Sequence, residues 1–146
     1  MNYAEYVQHD ATSLAALVRA REVSAGELLD VAIARSAQVN PQLNAIVLDH
    51  QDEARQAIRD GLPDGVLKGV PFLIKDLFIE LQGTVTTNGC AFLRDHVSPA
   101  DSTIAARYRQ AGLVMFGKTH SPELGGGPTT ESRLYGVTRN PWNLSV

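Results

Sequence analysis

The chain has little of several things, and each scarcity sets a bound. Its 146 residues include one cysteine, Cys90, so no internal disulfide framework is available and a reducing, cytoplasmic location is expected. No apolar run approaches the ~18 residues of a membrane span. Met1 to Asp10 is polar and acidic, which argues against a secretory signal or a transit peptide. Basic residues are outnumbered, with Lys+Arg 13 against Asp+Glu 16 and a net charge of −3, so no field attracts nucleic acid. The 4 histidines, His9, His50, His96 and His120, stand far apart and form no paired-ligand pattern. No metal site and no cofactor are expected, and surface or capping roles are the default for these side chains. There is no Gly-x-Ser-x-Gly elbow, no internal repeat and no low-complexity segment. What remains is 44% hydrophobic, enough to build the core of one domain.

The most informative stretch is Gly69-Val70-Pro71-Phe72-Leu73-Ile74-Lys75-Asp76. A short apolar run with β-branched and aromatic members reads as a strand buried on both faces. Lys75 then stands at the strand's end, where the active sites of α/β proteins gather. An ammonium held in an apolar setting loses hydration, which favours the neutral amine and makes a general base available. The competing reading is a lysine that snorkels to water from a strand end, beside a surface Asp76.

Around that strand the pattern alternates helix and strand. Thr12 or Ser13 is placed to cap a helix through Ala20. Ser24-Ala25-Gly26-Glu27 matches a capping box opening a helix to about Val39, which Asn40-Pro41 should stop. Ala45–Leu48 is a strand candidate, and Asp49 to Asp60 a helix with Gly61 past its end. Asp101-Ser102 caps a helix through Gln110, ended by Gly112, and Leu113–Phe116 is a second buried strand closed by Gly117-Lys118-Thr119. From His120 onward no periodicity is visible. The expected class is α/β with a mixed sheet flanked by helices: residues 1–60 mainly helical, then 66–146 a sheet core with a helix at 101–111 and an active-site loop region.

Two glycine-containing motifs need weighing. Gly112 to Thr119 fits the phosphate-loop spacing G-x-x-x-x-G-K-[ST] letter for letter. A phosphate cradle needs a strand before it and a helix after it, whereas here the four intervening residues are themselves the strand, so nucleotide binding is rejected. Gly125-Gly126-Gly127-Pro128-Thr129 is either a plain linker or a loop that lets backbone approach a ligand. Cys90 reads as a small packing residue.

Taken in order, Gly69 to Asp76, Ala100-Asp101-Ser102-Thr103, Gly112-Leu113-Val114, Gly117-Lys118-Thr119, Thr129-Thr130-Glu131-Ser132 and Gly136-Val137-Thr138-Arg139-Asn140-Pro141-Trp142 resemble the N-terminal third of an amidase signature enzyme. Ser24 to Leu28 and Val39 to Ala45 also fit, so the resemblance covers nearly the whole chain. It implies an amide hydrolase with a Ser–cis-Ser–Lys triad in which Lys75 is the lysine, and Leu124, Gly125, Gly126, Gly127, Pro128 and Thr129 line the substrate's acyl pocket. It implies a small-molecule amide substrate, no cofactor and no membrane or nucleic-acid partner. Asp76 is implied to be structural.

The resemblance also has a departure. The Gly- and Ser-rich segment that carries both serines in the family normally follows Asn-Pro-Trp, and Ser145 matches neither serine. The expectation is therefore an N-terminal fragment, inactive alone, with exposed strand edges that favour aggregation or a homo-oligomer. Within the family a free amidase, including enzymes like the cyclic-dimer hydrolases of nylon-type oligoamides, is favoured over the glutamine-hydrolysing component of the tRNA-dependent amidotransferase. A non-catalytic remnant is the alternative outside enzymology.

Overall fold

The computed structural model describes residues 1–145. The chain begins with three helices, α1 (Tyr3–Tyr6), α2 (Ala11–Ala20) and α3 (Ala25–Leu43). The sequence pattern gives no hint of α1, a single turn over which Asn2 and Glu5 form a reciprocal capping box. α2 is capped by Asp10 rather than Thr12 or Ser13, because the Asp10 carboxylate accepts the Ser13 amide at 2.8 Å. The capping box of α3 forms as read: Ser24 Oγ accepts the Glu27 amide at 3.1 Å, and Glu27 accepts the Ser24 amide at 2.9 Å. The helix does not stop at Asn40-Pro41. Pro41 falls in its last turn, and Asn44 ends it with φ 53°. Asn40 shapes the exit instead, its Oδ1 accepting the amides of Ala45 and Ile46, each at 2.8 Å.

Strand β1 (Ile46–Asp49), helix α4 (Gln51–Asp60), strand β2 (Pro71–Lys75), helix α5 (Thr103–Gln110) and strand β3 (Val114–Thr119) follow. The sheet order is β1-β3-β2, with β1 antiparallel and β2 parallel to β3. Only β3 is therefore flanked on both sides. β2 packs on both faces, as read, Leu73 against the cluster of Leu29 and Val114, and Phe72 and Ile74 against that of Leu81 and Met115: Val70, Pro71 and Ile74 are buried, Phe72 and Leu73 half-buried, and Lys75 exposed. β2 is an edge, and its last residue leaves the packed region.

Side chains alternate along β3. Val114 and Phe116 pack with Leu29 of α3 and Ala54 of α4, while Met115 packs with Ile74, Leu81 and Ala105 of α5. A third cluster, Leu14, Ala15, Val23, Leu28, Val70 and Leu113, seals the end where the strands begin. The phosphate-loop spelling is spent on this architecture. Gly112 ends the α5 turn with φ +83°, and Val114–Thr119 is β3, followed among the described residues by a three-residue 3-10 turn (Glu123–Gly125) and no α-helix. The chain closes with a hairpin of β4 (Glu131–Ser132) and β5 (Gly136–Val137).

Candidate functional site

Lys75 is the last residue of β2, paired in register with Thr119 of β3. Its side chain is exposed, and no hydrogen bond or ion pair among the described residues involves its ammonium. The dehydration expected of it is not provided by residues 1–145, because β2 has β3 on one side and nothing on the other.

Directly after it the chain dives into a buried polar array. Asp76 is fully buried; its amide donates to Thr119 O at 2.9 Å. Its carboxylate accepts the Thr87 amide at 2.8 Å, the Thr87 hydroxyl, and the Gly89 amide at 3.4 Å. A buried carboxyl that accepts from three donors offsets its desolvation in hydrogen bonds, so Asp76 is a structural anchor and not a surface residue. Ser121 Oγ donates to Asp76 O at 2.6 Å, which ties the end of β3 to the same point.

The buried lysine of the fold is Lys118, in β3, with a relative exposure of 0%. Its ammonium donates to Val85 O at 2.6 Å and to Thr86 Oγ1 at 2.5 Å, and Thr86 in turn bonds Ser98 Oγ at 2.8 Å. Burial pushes its pKa down to about 8, against the opposing pull of Asp76 and Glu80. The sequence reading gives Lys118 no role beyond a strand closure. The signal available was its place inside an apolar strand, where a charged side chain has to be satisfied internally. The segment Thr84–Gly89 is thus pinned from two sides, by Lys118 and by Asp76.

The candidate acyl-pocket loop lies on this segment. Leu124 donates its amide to Asn88 O at 2.8 Å, Asn88 Oδ1 accepts the Phe78 amide at 2.8 Å, and a Cβ added to Gly125 would sit 3.2 Å from Leu77 Cδ2. Residues 124–129 are exposed, and the loop rests on the residues immediately past Lys75. Two histidines are buried where surface or capping roles were expected; His50 does stand at the N-cap of α4, but its side chain makes no capping bond. His120 is buried and bonded through both ring nitrogens, to Thr138 Oγ1 and Ser132 Oγ, each at 2.7 Å. His50 is buried before α4 with its Nε2 unpartnered, and burial lowers its pKa, with the neighbouring Lys118 charge adding to the effect. Among the described residues no cluster of His, Cys, Asp and Glu is arranged to hold a metal.

The order of motifs and this architecture have a match among known proteins. The sequence profile of the Amidase family fits residues 27–146. The chain belongs to the amidase family. It is 41% identical over 137 residues to a 6-aminohexanoate-cyclic-dimer hydrolase of Paenarthrobacter ureafaciens, covering 92% of the chain and 27% of that relative. An acylamidase of Rhodococcus erythropolis is 38% identical over 144 residues, with 92% and 29% covered. The solved structure of a 6-aminohexanoate cyclic dimer hydrolase complexed with substrate superposes with a TM-score of 0.87 at 40% identity, over 93% of this chain and 28% of that one. The chain therefore spans between a quarter and a third of the length of these relatives, and the fold is the corresponding part of a mixed α/β amidase fold. No helix among the described residues is long and apolar enough to cross a membrane.

Proposed function

We propose that the chain carries the lysine and the acyl-pocket loop of a carbon–nitrogen amide hydrolase working through a Ser–cis-Ser–Lys triad. The observation that carries this reading is the placement of Lys75. It projects from the C-terminal end of a parallel strand, immediately before a fully buried Asp76 that fixes the strand's end to the loop system. In the proposed reaction the neutral amine of Lys75 takes a proton from a bridging serine, which takes one from the nucleophilic serine. The nucleophile's oxygen attacks the amide carbonyl, and backbone N–H groups meet the charge on the tetrahedral oxygen. The C–N bond breaks as the amine leaves with a proton returned along the relay, and water then cleaves the acyl-enzyme to the acid.

Both serines are proposed to come from outside these residues. Each serine hydroxyl in the chain is bonded to a partner other than a lysine: Ser98 to Thr86, Ser121 to Asp76 O, Ser132 to His120, Ser145 to Asn143, and the rest within or beside helices. The proposed substrate is a small linear or cyclic amide of the kind named for the cyclic-dimer hydrolase, in preference to glutamine held for a tRNA-linked partner. That hydrolase is 41% identical, against 38% for a glutamyl-tRNA(Gln) amidotransferase relative, which supports the choice.

The test compares amine release from 6-aminohexanoate cyclic dimer and from an aryl amide, using the 146-residue chain and any longer product of the same reading frame. Hydrolysis is expected only from a product that supplies the serines. Lys75→Ala should lower it by at least about a thousandfold, as loss of a triad member does. The fold should survive, because the side chain is exposed. Turnover retained in Lys75→Ala would exclude this residue as the base.

A further inference from the structure

The segment carrying the proposed acyl-pocket loop runs from the end of β3 at Thr119 to β4 at Glu131, and one imidazole stands at both of its feet. His120 follows β3 directly, and its amide donates to Ala45 O at 2.8 Å. Its ring reaches across to the returning end, with Nε2 2.7 Å from Ser132 Oγ and Nδ1 2.7 Å from Thr138 Oγ1. The direction of these bonds follows from counting protons. Thr138 donates its single hydroxyl proton to Asn44 O at 2.7 Å, so it accepts from the ring and Nδ1 carries the proton. In a neutral imidazole Nε2 is then the acceptor, and Ser132 donates to it while its oxygen receives the Tyr135 amide at 3.2 Å. From Tyr135 through Ser132, His120 and Thr138 to Asn44, each link runs one way and no polar atom is left over. Burial lowers the ring's pKa against the opposing pull of Asn44 O and Asp76, which favours the neutral form, and Tyr135 packs edge-on at 5.4 Å.

We propose that His120 is a positioning residue whose ring latches the returning strand β4 to the end of β3, and so holds the loop Glu123–Thr130 on the residues that follow Lys75. This rests on the reading of that loop as the acyl-pocket lining. The loop has little else to hold it. Its internal backbone bonds are the short turns from Gly125 to Pro122 O and from Gly126 to Glu123 O; Leu124 to Asn88 O crosses to the Lys75 side, and at the returning foot Thr130 O accepts the Thr138 amide at 2.8 Å and Thr129 Oγ1 donates to Glu131 Oε1 at 2.8 Å. Leu124 has φ 50°, a left-handed conformation that a leucine keeps only where its surroundings impose it. β5 is tied independently to the end of α3, through Asn44 Nδ2 to Tyr135 O and Val137 O and through the Arg139 amide to Leu43 O. β4, which continues the loop, reaches the rest of the fold through β5 and His120. Freeing the imidazole should therefore loosen the loop before the hairpin.

The experiment is residue-resolved amide hydrogen exchange on the 146-residue chain, with His120→Ala, His120→Asn and His120→Gln. Asn reproduces the Nδ1 position and Gln the Nε2 position. Exchange at Leu124, Gly125 and Gly126 is expected to rise roughly tenfold in His120→Ala and His120→Asn, which lose the Ser132 bond, and to return to within about threefold of the parent in His120→Gln. A purely packing role would not separate Asn from Gln in this way, so equal behaviour of the two overturns the proposal. Equal acceleration at Ile74 and Met115 also overturns it, since His120 would then hold the whole fold. Exchange is indifferent to hydrolysis, so failure of the latch leaves the Lys75→Ala test standing, and the reverse holds too.

Discussion

Replacing Lys118 with methionine sets two opposing effects against each other that pH can separate. In the folded chain the ammonium is fully buried and its pKa lies at about 8, against 10.5 for an ordinary lysine. That gap corresponds to about 3 kcal/mol of penalty on the charged form. Below about pH 8 both folded and unfolded chains hold the proton and the whole penalty is present. Between about pH 8 and 10.5 the unfolded chain holds a proton that the folded chain has shed, so raising the pH stabilises the fold. Methionine carries no proton and contributes no such slope. It also leaves Val85 O without its donor, at a cost of about 1–3 kcal/mol, while Thr86 keeps its bond to Ser98. At pH 7 the two effects nearly cancel, and Lys118→Met should lie within about 2 kcal/mol of the parent. At about pH 10.5 it should be about 3 kcal/mol worse relative to the parent than it was at pH 7. Urea unfolding of both proteins across that range, at fixed ionic strength, measures the difference directly; other titrating groups cancel. Stability curves that run parallel from about pH 7 to 10.5 would refute the claim that this ammonium is desolvated.

Three further substitutions test the surrounding construction. Asp76→Asn turns an acceptor for three donors into a group that presents N–H to some of them, and the urea midpoint should fall by the equivalent of at least about 2 kcal/mol. Gly89→Ala combines φ +67° with a Cβ 2.6 Å from Ser121 O, a backbone atom that has no easy retreat; a loss of at least about 1–2 kcal/mol is expected in the same assay. Ser24→Ala removes one half of the α3 capping box and should cost about 1 kcal/mol in thermal or urea unfolding, with β-sheet exchange unchanged.

Local chemistry was readable wherever a signal and its consequence lie within a few residues. The Ser24/Glu27 box, the Ser102 cap of α5 and the Gly112 turn are of this kind, and each forms where the sequence puts it. Pro41 misled because a stop signal has force only in a helix interior, and Asn40 had a better exit to offer in its bonds to Ala45 and Ile46. Partnerships across long separations were not readable. Nothing in Gly117-Lys118-Thr119 says that its amine will meet Val85 and Thr86, and nothing in His120-Ser121-Pro122 says that an imidazole will close a loop on Ser132. Both are fully committed buried groups where surface roles or a strand closure were expected. Element order alone excludes a phosphate loop at Gly112–Thr119, and β3 occupies that span.

Lys75 and Lys118 have been given opposite environments by the same sheet. Lys118 is in the central strand, so its amine has nowhere to go but inward, and the segment Thr84–Gly89 is wrapped to receive it. Lys75 ends a strand that, among the described residues, has no neighbour on its outer side, and its side chain is exposed. A base that must be neutral near pH 7 needs the treatment that Lys118 receives, yet Lys118 is already bonded to structure and has no path to a substrate. The chemistry proposed for Lys75 therefore requires a surface laid along the open edge of β2, one that removes water from the amine and brings a hydroxyl to it. The buried Asp76 array makes that workable: it fixes the strand end in advance, so the covering surface has only to desolvate Lys75 and not to position it as well.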